Sequence, residues 1–281
     1  MRSPAARSPG ASHVAPSIDG TRRHGLDWDV QLSKEIRVVG AIPARYGSTR
    51  LPGKALALLA GKPMVQHVAE RARSARGLDR VVVLTDDERI ADVVRAFGGD
   101  VEMTPSDCAS GTDRIAWAAR RWQVDAIVNI QGDEPLIDPE GISRVAEHLR
   151  AHPEDPIVTL AADALAGDLE TPSVVKAVLD ARGYALYFSR APIPFPRQPG
   201  GAAPLRHLGI YGYRKEALLR LAALPPDPLE LSESLEQLRA LANGIPIRVL
   251  TGAAPSLGVD TAEDAAHAER LLIEAASRQG A

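Results

Sequence analysis

From Ile36 onward, short apolar runs alternate with amphipathic stretches, and that alternation leaves few folds open to the chain. Ile36–Ile42 reads as a buried strand stopped by Pro43, Met64–Ala75 as a helix, Arg80–Leu84 as a strand and Asp87–Phe97 as a helix. Ser110-Gly111-Thr112 can cap a helix running to about Trp122, and Ala126–Ile130 is a further strand. Pro139 suits a first helical turn, where its missing N–H costs nothing, and opens a helix to about Arg150. Strand candidates in the second half lie near Val158, Val175, Ala185, Ile210 and Val249. Helices are expected at Lys215–Ala223, Ser234–Leu241 and from Thr261 onward, the last opened by a Thr261/Asp264 capping box. Strands alternating with helices of this length predict βαβ units: an α/β fold with a mostly parallel sheet and an elaborated second half.

The first thirty-five residues lack this periodicity. Ser-Pro pairs, Gly10, Gly20, Gly25 and scattered arginines give them little to bury, and no apolar stretch suggests a secretory signal. Residues 1–35 are therefore expected to be a disordered extension and residues 36–281 the folded domain. At 29.9 kDa the chain can bury roughly three-quarters of its unfolded surface. A formal net charge of -3 gives no reason to expect a nucleic-acid partner. The single cysteine, Cys108, excludes an internal disulfide framework. No apolar run is long enough to cross a membrane, so a cytoplasmic location is expected.

In open α/β sheets ligands bind beyond the carboxyl ends of the strands, so the segments after each strand matter most. The first strand is followed by Pro43-Ala44-Arg45-Tyr46-Gly47-Ser48-Thr49-Arg50-Leu51-Pro52-Gly53-Lys54. No acidic residue occurs between Glu35 and Glu70, yet that stretch holds Arg37, Arg45, Arg50, Lys54 and Lys62. Cations beside glycines that leave backbone N–H groups accessible are what a triphosphate requires; the alternative is a solvated basic loop. The spacing is not that of a P-loop, because five residues separate Gly47 from Gly53 and Ala55 replaces the Mg²⁺-holding hydroxyl residue. A second cue is Asn129-Ile130-Gln131-Gly132-Asp133-Glu134-Pro135, where an apolar strand ends in a glycine and a carboxylate. Gly258-Val259-Asp260-Thr261 repeats it late in the chain. Each aspartate can be read as a ligand for a hard cation beside phosphates. Asp133 can equally be a turn residue, and Asp260 a helix-start carboxylate favoured by the dipole.

Ile42–Lys54 resembles the N-terminal signature of sugar-activating nucleotidyltransferases. Together with Gln131–Pro135, Ser110–Thr112, Gly183–Arg190, Arg206–Tyr213, Leu235–Arg239 and Gly258–Thr261, it is similar to the 3-deoxy-D-manno-octulosonate (Kdo) cytidylyltransferases, from about residue 36 to the C-terminus. The resemblance implies a Rossmann-like sheet with helices on both faces and an inserted sugar-binding and dimerisation region. It implies Mg²⁺-dependent transfer of CMP from CTP to Kdo with release of pyrophosphate, for lipopolysaccharide biosynthesis, by a homodimer. Carried over to this sequence, Arg45, Arg50 and Lys54 would hold the triphosphate. Ser110, Gly111, Thr112 and Gln131 would lie around the cytidine and sugar, and Asp133 and Asp260 would bind Mg²⁺. Arg190, His207, Tyr211, Glu236 and Gln237 would line the sugar-acid pocket, Arg190 meeting the carboxylate.

Two departures are visible: the segment Pro196–Leu205 is short, and the N-terminal extension is extra. An amino-substituted Kdo or a sialic acid is an alternative acceptor, and a catalytically dead nucleotide-binding regulator an alternative role. The intact Lys54, Asp133 and Asp260 speak against the latter. His148 and His152 have metal-ligand spacing but fall at a helix end before Pro153, where a cation suits the dipole. Cys108 and the three tryptophans read as packing residues, and Arg71, Arg73, Arg76 and Arg80 as a solvated helix face.

Overall fold

A run as apolar as Val38–Ile42 must be buried on both faces, and it forms an interior strand of a sheet flanked by helices. The computed structural model describes residues 36–47, 51–198 and 200–279; the expectations for residues 1–35 and for Arg50 fall outside the described residues. In chain order the elements are β1 (Val38–Pro43), a two-stranded ribbon β2 (Leu58–Leu59) and β3 (Lys62–Pro63), α1 (Met64–Ser74), β4 (Arg80–Thr85), α2 (Glu88–Ala96), β5 (Asp100–Met103) and α3 (Gly111–Ala119). There follow β6 (Ala126–Asn129), α4 (Pro139–Ala151), β7 (Ile157–Asp163), β8 (Lys176–Leu179), β9 (Ala185–Ser189) and β10 (Leu205–Arg214). The last are α5 (Lys215–Ala223), α6 (Pro228–Glu233), α7 (Gln237–Ala242), β11 (Ile247–Leu250) and α8 (Ala262–Gln279).

Among the described residues the main sheet runs β11-β7-β10-β6-β1-β4-β5, with β8 and β9 attached beside β10. Every strand on that path points the same way except β10, which is antiparallel to both β6 and β7. The sheet is thus mostly parallel, as expected, with one reversed strand in its middle. Alternate residues feed two cores. Val38, Ile42, Val128 and Val158 pack with α1, α2 and α4 on one face. Val39, Ala41, Ile127 and Ile157 pack with α3, α5 and α7 on the other. Leu59 and Met64 meet Val259, Ala268 and Leu272 in a smaller cluster that docks α8.

Some local expectations need correction. Pro43 does not stop β1 but ends it. Ala44 N–H donates to Leu84 C=O at 2.8 Å, so the missing donor of Pro43 faces the β6 side, past the last paired residues Ala41 and Asn129. The helix expected over Ser234–Leu241 is two helices. Asp227 and Glu230 form a capping box around Pro228, and Ser234, at φ 51°, closes α6 in a left-handed conformation before α7 begins. The helix after Ser110 ends at Ala119 rather than Trp122, and the ribbon β2–β3 and strand β5 are too short and too polar for the pattern to show them. Arg76 and Arg80 are not on a helix face: Arg76 pairs with Glu140 and Glu147, and Arg80 in β4 pairs with Asp100. His148 is no dipole-facing cation, since it is buried against Asp155 at 2.6 Å and burial lowers its pKa.

Gly212 lets α4 approach β10 closely. A Cβ there would lie 2.6 Å from Val145 and 2.7 Å from both Leu149 and Val158. Gly212→Ala is expected to cost about 1–3 kcal/mol by overpacking. Thermal denaturation should show this as a Tm lowered by several degrees, about 2–4 °C per kcal/mol, and an unchanged Tm would refute the close contact.

Candidate active site

Strand β1 sends the chain outward to β4 and β5; the chain then returns to β6 on the other side of β1. The carboxyl ends of β1 and β6 therefore flank a topological switch point, where an open α/β sheet leaves a crevice. Both motifs singled out from the sequence emerge there. After β1, the Tyr46 ring lies under the Arg89 guanidinium at 3.4 Å, and Gly53 N–H donates to Tyr46 C=O at 3.0 Å. Gly53 has φ 67°, and a Cβ on it would come within 3.1 Å of the Tyr46 ring. This fixes a turn that only glycine adopts without strain and delivers Lys54 into the crevice. After β6, a Cβ on Gly132 would lie 2.7 Å from Pro43 C=O, so the two loops can touch only because residue 132 is glycine.

Lys54 holds the site together. Its Nζ donates to Asp133 Oδ2 at 2.6 Å, Asp260 Oδ1 at 3.1 Å and Val259 C=O at 3.3 Å. Val259 N–H donates to Asp133 C=O at 2.9 Å, which ties the segment bearing Asp260 to the turn after β6. Burial opposes the charge on Lys54, but Asp133 and Asp260 outweigh it and hold the pKa above the ordinary lysine value. Two carboxylates converging on one cation from separate segments fit Mg²⁺, which characteristically takes one or two carboxylates and completes its shell with phosphate oxygens and water. Among the described residues no set of three or more His, Cys, Asp or Glu side chains could enclose a metal without such a substrate. Glu134, beside Asp133, adds only part of a further charge near neutrality: burial pushes its pKa to about 7, partly offset by a hydrogen bond from Ser256, with Asp133 adding to the rise.

Two contiguous cavities open here. The larger, about 650 Å³, is lined by Arg45, Lys54, Ser110, Gly111, Arg114, Gln131, Asp133 and Asp260, among others. The smaller, about 220 Å³, is lined by Gly111, Thr112, Asn129, Gln131, Tyr211, Tyr213, Glu236 and Gln237. Gly111 and Gln131 belong to both. Ser110 caps α3 by accepting from Asp113 N–H at 3.0 Å, so the positive end of that helix lies at the junction of the cavities, where an anion is favoured. Burial raises the pKa of Glu236, against hydrogen bonds from Thr112 and Ser110 that favour its anion.

Arg190 and His207 line neither cavity. The Arg190 guanidinium donates to the carbonyls of Glu233 at 2.7 Å, Pro172 at 3.0 Å and Ser234 at 3.4 Å, bracing the end of α6. His207 lies behind Tyr211, with ring centroids 5.3 Å apart. The Thr159 hydroxyl donates to Ile210 C=O at 2.7 Å, so at 2.9 Å it accepts from His207 Nε2, which fixes the neutral tautomer. Among the polar side chains of the cavities, Arg114, Asn129 and Tyr213 escaped the sequence reading, and Cys108, read as a packing residue, lines the larger cavity. Arg114 follows Ser110-Gly111-Thr112 by one helical turn, and Asn129 is a polar residue ending an apolar strand; both patterns were there to be used.

The sequence model of the cytidylyltransferase family matches residues 39–247, from the second residue of β1 to the first of β11. A 3-deoxy-manno-octulosonate cytidylyltransferase of Syntrophotalea carbinolica is 52% identical over 245 residues, covering 84% of this chain and 98% of that protein. One from Escherichia coli is 47% identical over 225 residues, covering 80% and 92%. A solved CMP:2-keto-3-deoxy-manno-octonic acid synthetase complexed with CTP superimposes with a TM-score of 0.82 at 44% identity, covering 85% of this chain and 99% of its own. The chain belongs to the 3-deoxy-manno-octulosonate cytidylyltransferase family. The cytidylyltransferase match takes in the residues of both cavities except Asp260, which lies beyond residue 247.

In this cytidylyltransferase, burial pushes the His207 pKa down to about 3. The unfolded chain takes up a proton near pH 6.5 that the folded chain refuses, so stability falls as the pH drops through that window, by at most about 1.4 kcal/mol per pH unit. His207→Gln keeps a donor toward Thr159 and removes the titration. Its Tm is expected to fall less than that of the parent between about pH 6.5 and 4.5. Glu134 contributes with the opposite sign equally in both proteins and cancels. Parallel Tm profiles would show that His207 is not the group responsible.

Proposed function

We propose that the chain transfers a cytidylyl group from CTP to Kdo, forming CMP-Kdo and pyrophosphate. The observation that supports this best is the Lys54 ammonium held between Asp133 and Asp260 at the mouth of a cleft of about 650 Å³, beside a smaller polar cavity. Arg45 and Lys54, with Arg50 from the same segment, would bind the triphosphate. The N-terminus of α3 would receive further negative charge, with Ser110 and Gln131 around the cytidine. Thr112, Gln131, Tyr211, Glu236 and Gln237 offer the hydrogen-bonding groups that a polyol needs. Arg190 and His207 would act from behind that surface, one bracing the α6 turn and the other backing Tyr211.

In the reaction the C2 hydroxyl oxygen of the sugar bonds to the α-phosphorus, the bond to the bridging oxygen of pyrophosphate breaks, and the hydroxyl proton is released. The protein's part is positioning: the two cavities meet at Gly111 and Gln131, so a triphosphate in one and a sugar in the other present their reacting atoms at that junction. Asp133 and Asp260 would hold Mg²⁺, which when bound neutralises charge on the phosphates. Lys54 offsets part of the charge of the two carboxylates. We also propose a homodimer working in the cytoplasm to supply lipopolysaccharide synthesis. Large apolar side chains left exposed in the second half, Leu186, Phe195 and Leu231, support a protein interface, and among the described residues no helix is long and apolar enough to cross a membrane.

Pyrophosphate release is expected to require both CTP and Kdo; release with UTP at a similar rate, or without the sugar, would defeat the assignment. Asp133→Asn and Asp260→Asn should each lower kcat/KM by at least about 10²-fold with the fold intact. The double variant should lose much less than the product of the two, because both act on one cation. Multiplicative losses would make the two sites independent.

A further inference from the structure

Asn129 ends β6 with a buried, unanswered acceptor. The residue is 3% exposed, and its Oδ1 has no hydrogen-bond partner among the described residues. Its strand neighbour Ile127 packs into the apolar core on the same face, and its cross-strand partner on β10 is Tyr211. One step beyond Ile127 the core gives way to the cavity of about 220 Å³, which Asn129 lines. A carbonyl deprived of water and given no donor is costly, and such groups survive in native proteins where a ligand or a bound water completes them.

Several neighbouring polar groups are already engaged. Gln131 Nε2 donates to Gly209 C=O at 3.0 Å, the Ser110 hydroxyl donates to Asp113 at 3.0 Å, and Thr112 interacts with Glu236 and Tyr213. The buried group left unanswered is an acceptor, and what answers it must donate. A carboxylate, a phosphate or a ketone cannot; a hydroxyl can. Resting on the acceptor assignment above, we infer that Asn129 is a specificity residue whose side-chain carbonyl accepts a hydrogen bond from one hydroxyl of the acid sugar. A buried polar group that binds a substrate hydroxyl rejects analogues lacking it far more strongly than an apolar wall does, because the site's own group is then left unpaired.

The chain contains two asparagines, Asn129 and Asn243, so asparagine labelled with ¹³C at the side-chain carbonyl gives two signals, told apart with Asn243→Gln. In the wild-type protein, adding Kdo should move the Asn129 signal and leave that of Asn243 in place. Kinetically, Asn129→Leu, which keeps the volume, and Asn129→Ala should each raise the KM for Kdo about tenfold or more and leave the KM for CTP within about twofold. Among monodeoxy analogues of Kdo, one should be about tenfold or more worse than Kdo with the wild type yet equal to Kdo with the variants. An unmoved Asn129 signal, analogue penalties that persist in the variants, or an equal rise in both KM values would overturn the inference and leave Asn129 bonded to water or to the nucleotide. If the variants do not fold, the labelled wild type decides alone. Failure of the wild type to use Kdo at all would strike the acceptor assignment instead.

Discussion

The parallel pairing of β1 with β6 is the contact on which the site depends. Ile130 N–H donates to Ala41 C=O at 2.9 Å, and that register leaves Pro43 and Gly132 side by side where both strands end. Moving the register by one residue would turn every inward side chain of β6 to the opposite core and carry Asp133 away from Lys54. The register is secured by burial on both faces, since Val128 and Ile127 feed different cores. Gly132 converts it into a functional constraint, because any side chain there would push the turn off Pro43.

Charge organises what the backbone brings together. The stretch without acids after Glu35 leaves Lys54 with no local carboxylate, so its partners come from 79 and 206 residues away. Folding thus closes a long-range electrostatic circuit. At an effective dielectric of 20, unit charges 4 Å apart interact by about 4 kcal/mol, and two facing aspartates would repel an incoming triphosphate on that scale. One cation between them reduces the excess to a single negative charge, and Glu134 does not enlarge it fully, because its burial keeps a proton on part of the population near neutrality.

Much of this was legible beforehand because it is encoded locally. Apolar periodicity marks β1, β4 and β6, Thr261 and Asp264 pair as a capping box should, and a glycine one or two residues ahead marks both aspartates. What stayed hidden depends on tertiary contacts. Nothing in Leu205–Arg214 announces that the strand runs backwards between β6 and β7. The paired role of Lys54 is a property of three distant segments. Arg190 reads as a free cation in sequence, and only the folded turn at Glu233 and Ser234 surrounds it with carbonyls. The Asp227/Glu230 box that opens α6 is local, but the left-handed Ser234 that separates α6 from α7 is invisible to periodicity.

The reversed β10 is what gives a nucleotide-binding sheet a second pocket. Inserted between β6 and β7, it places its Tyr211 opposite Asn129, on the face already occupied by the N-terminus of α3. Its register shifts between Leu208 and Tyr211, and at that irregularity Gly209 C=O turns to accept from Gln131. A regular ladder would have spent that carbonyl on a neighbouring strand. Instead the bulge grips the very turn that carries Asp133, so the wall of the smaller cavity and the carboxylate of the larger one are linked through Gln131 and its neighbours. A shift of β10 therefore reaches the Asp133 turn through three residues of backbone, which couples the walls of the two cavities mechanically.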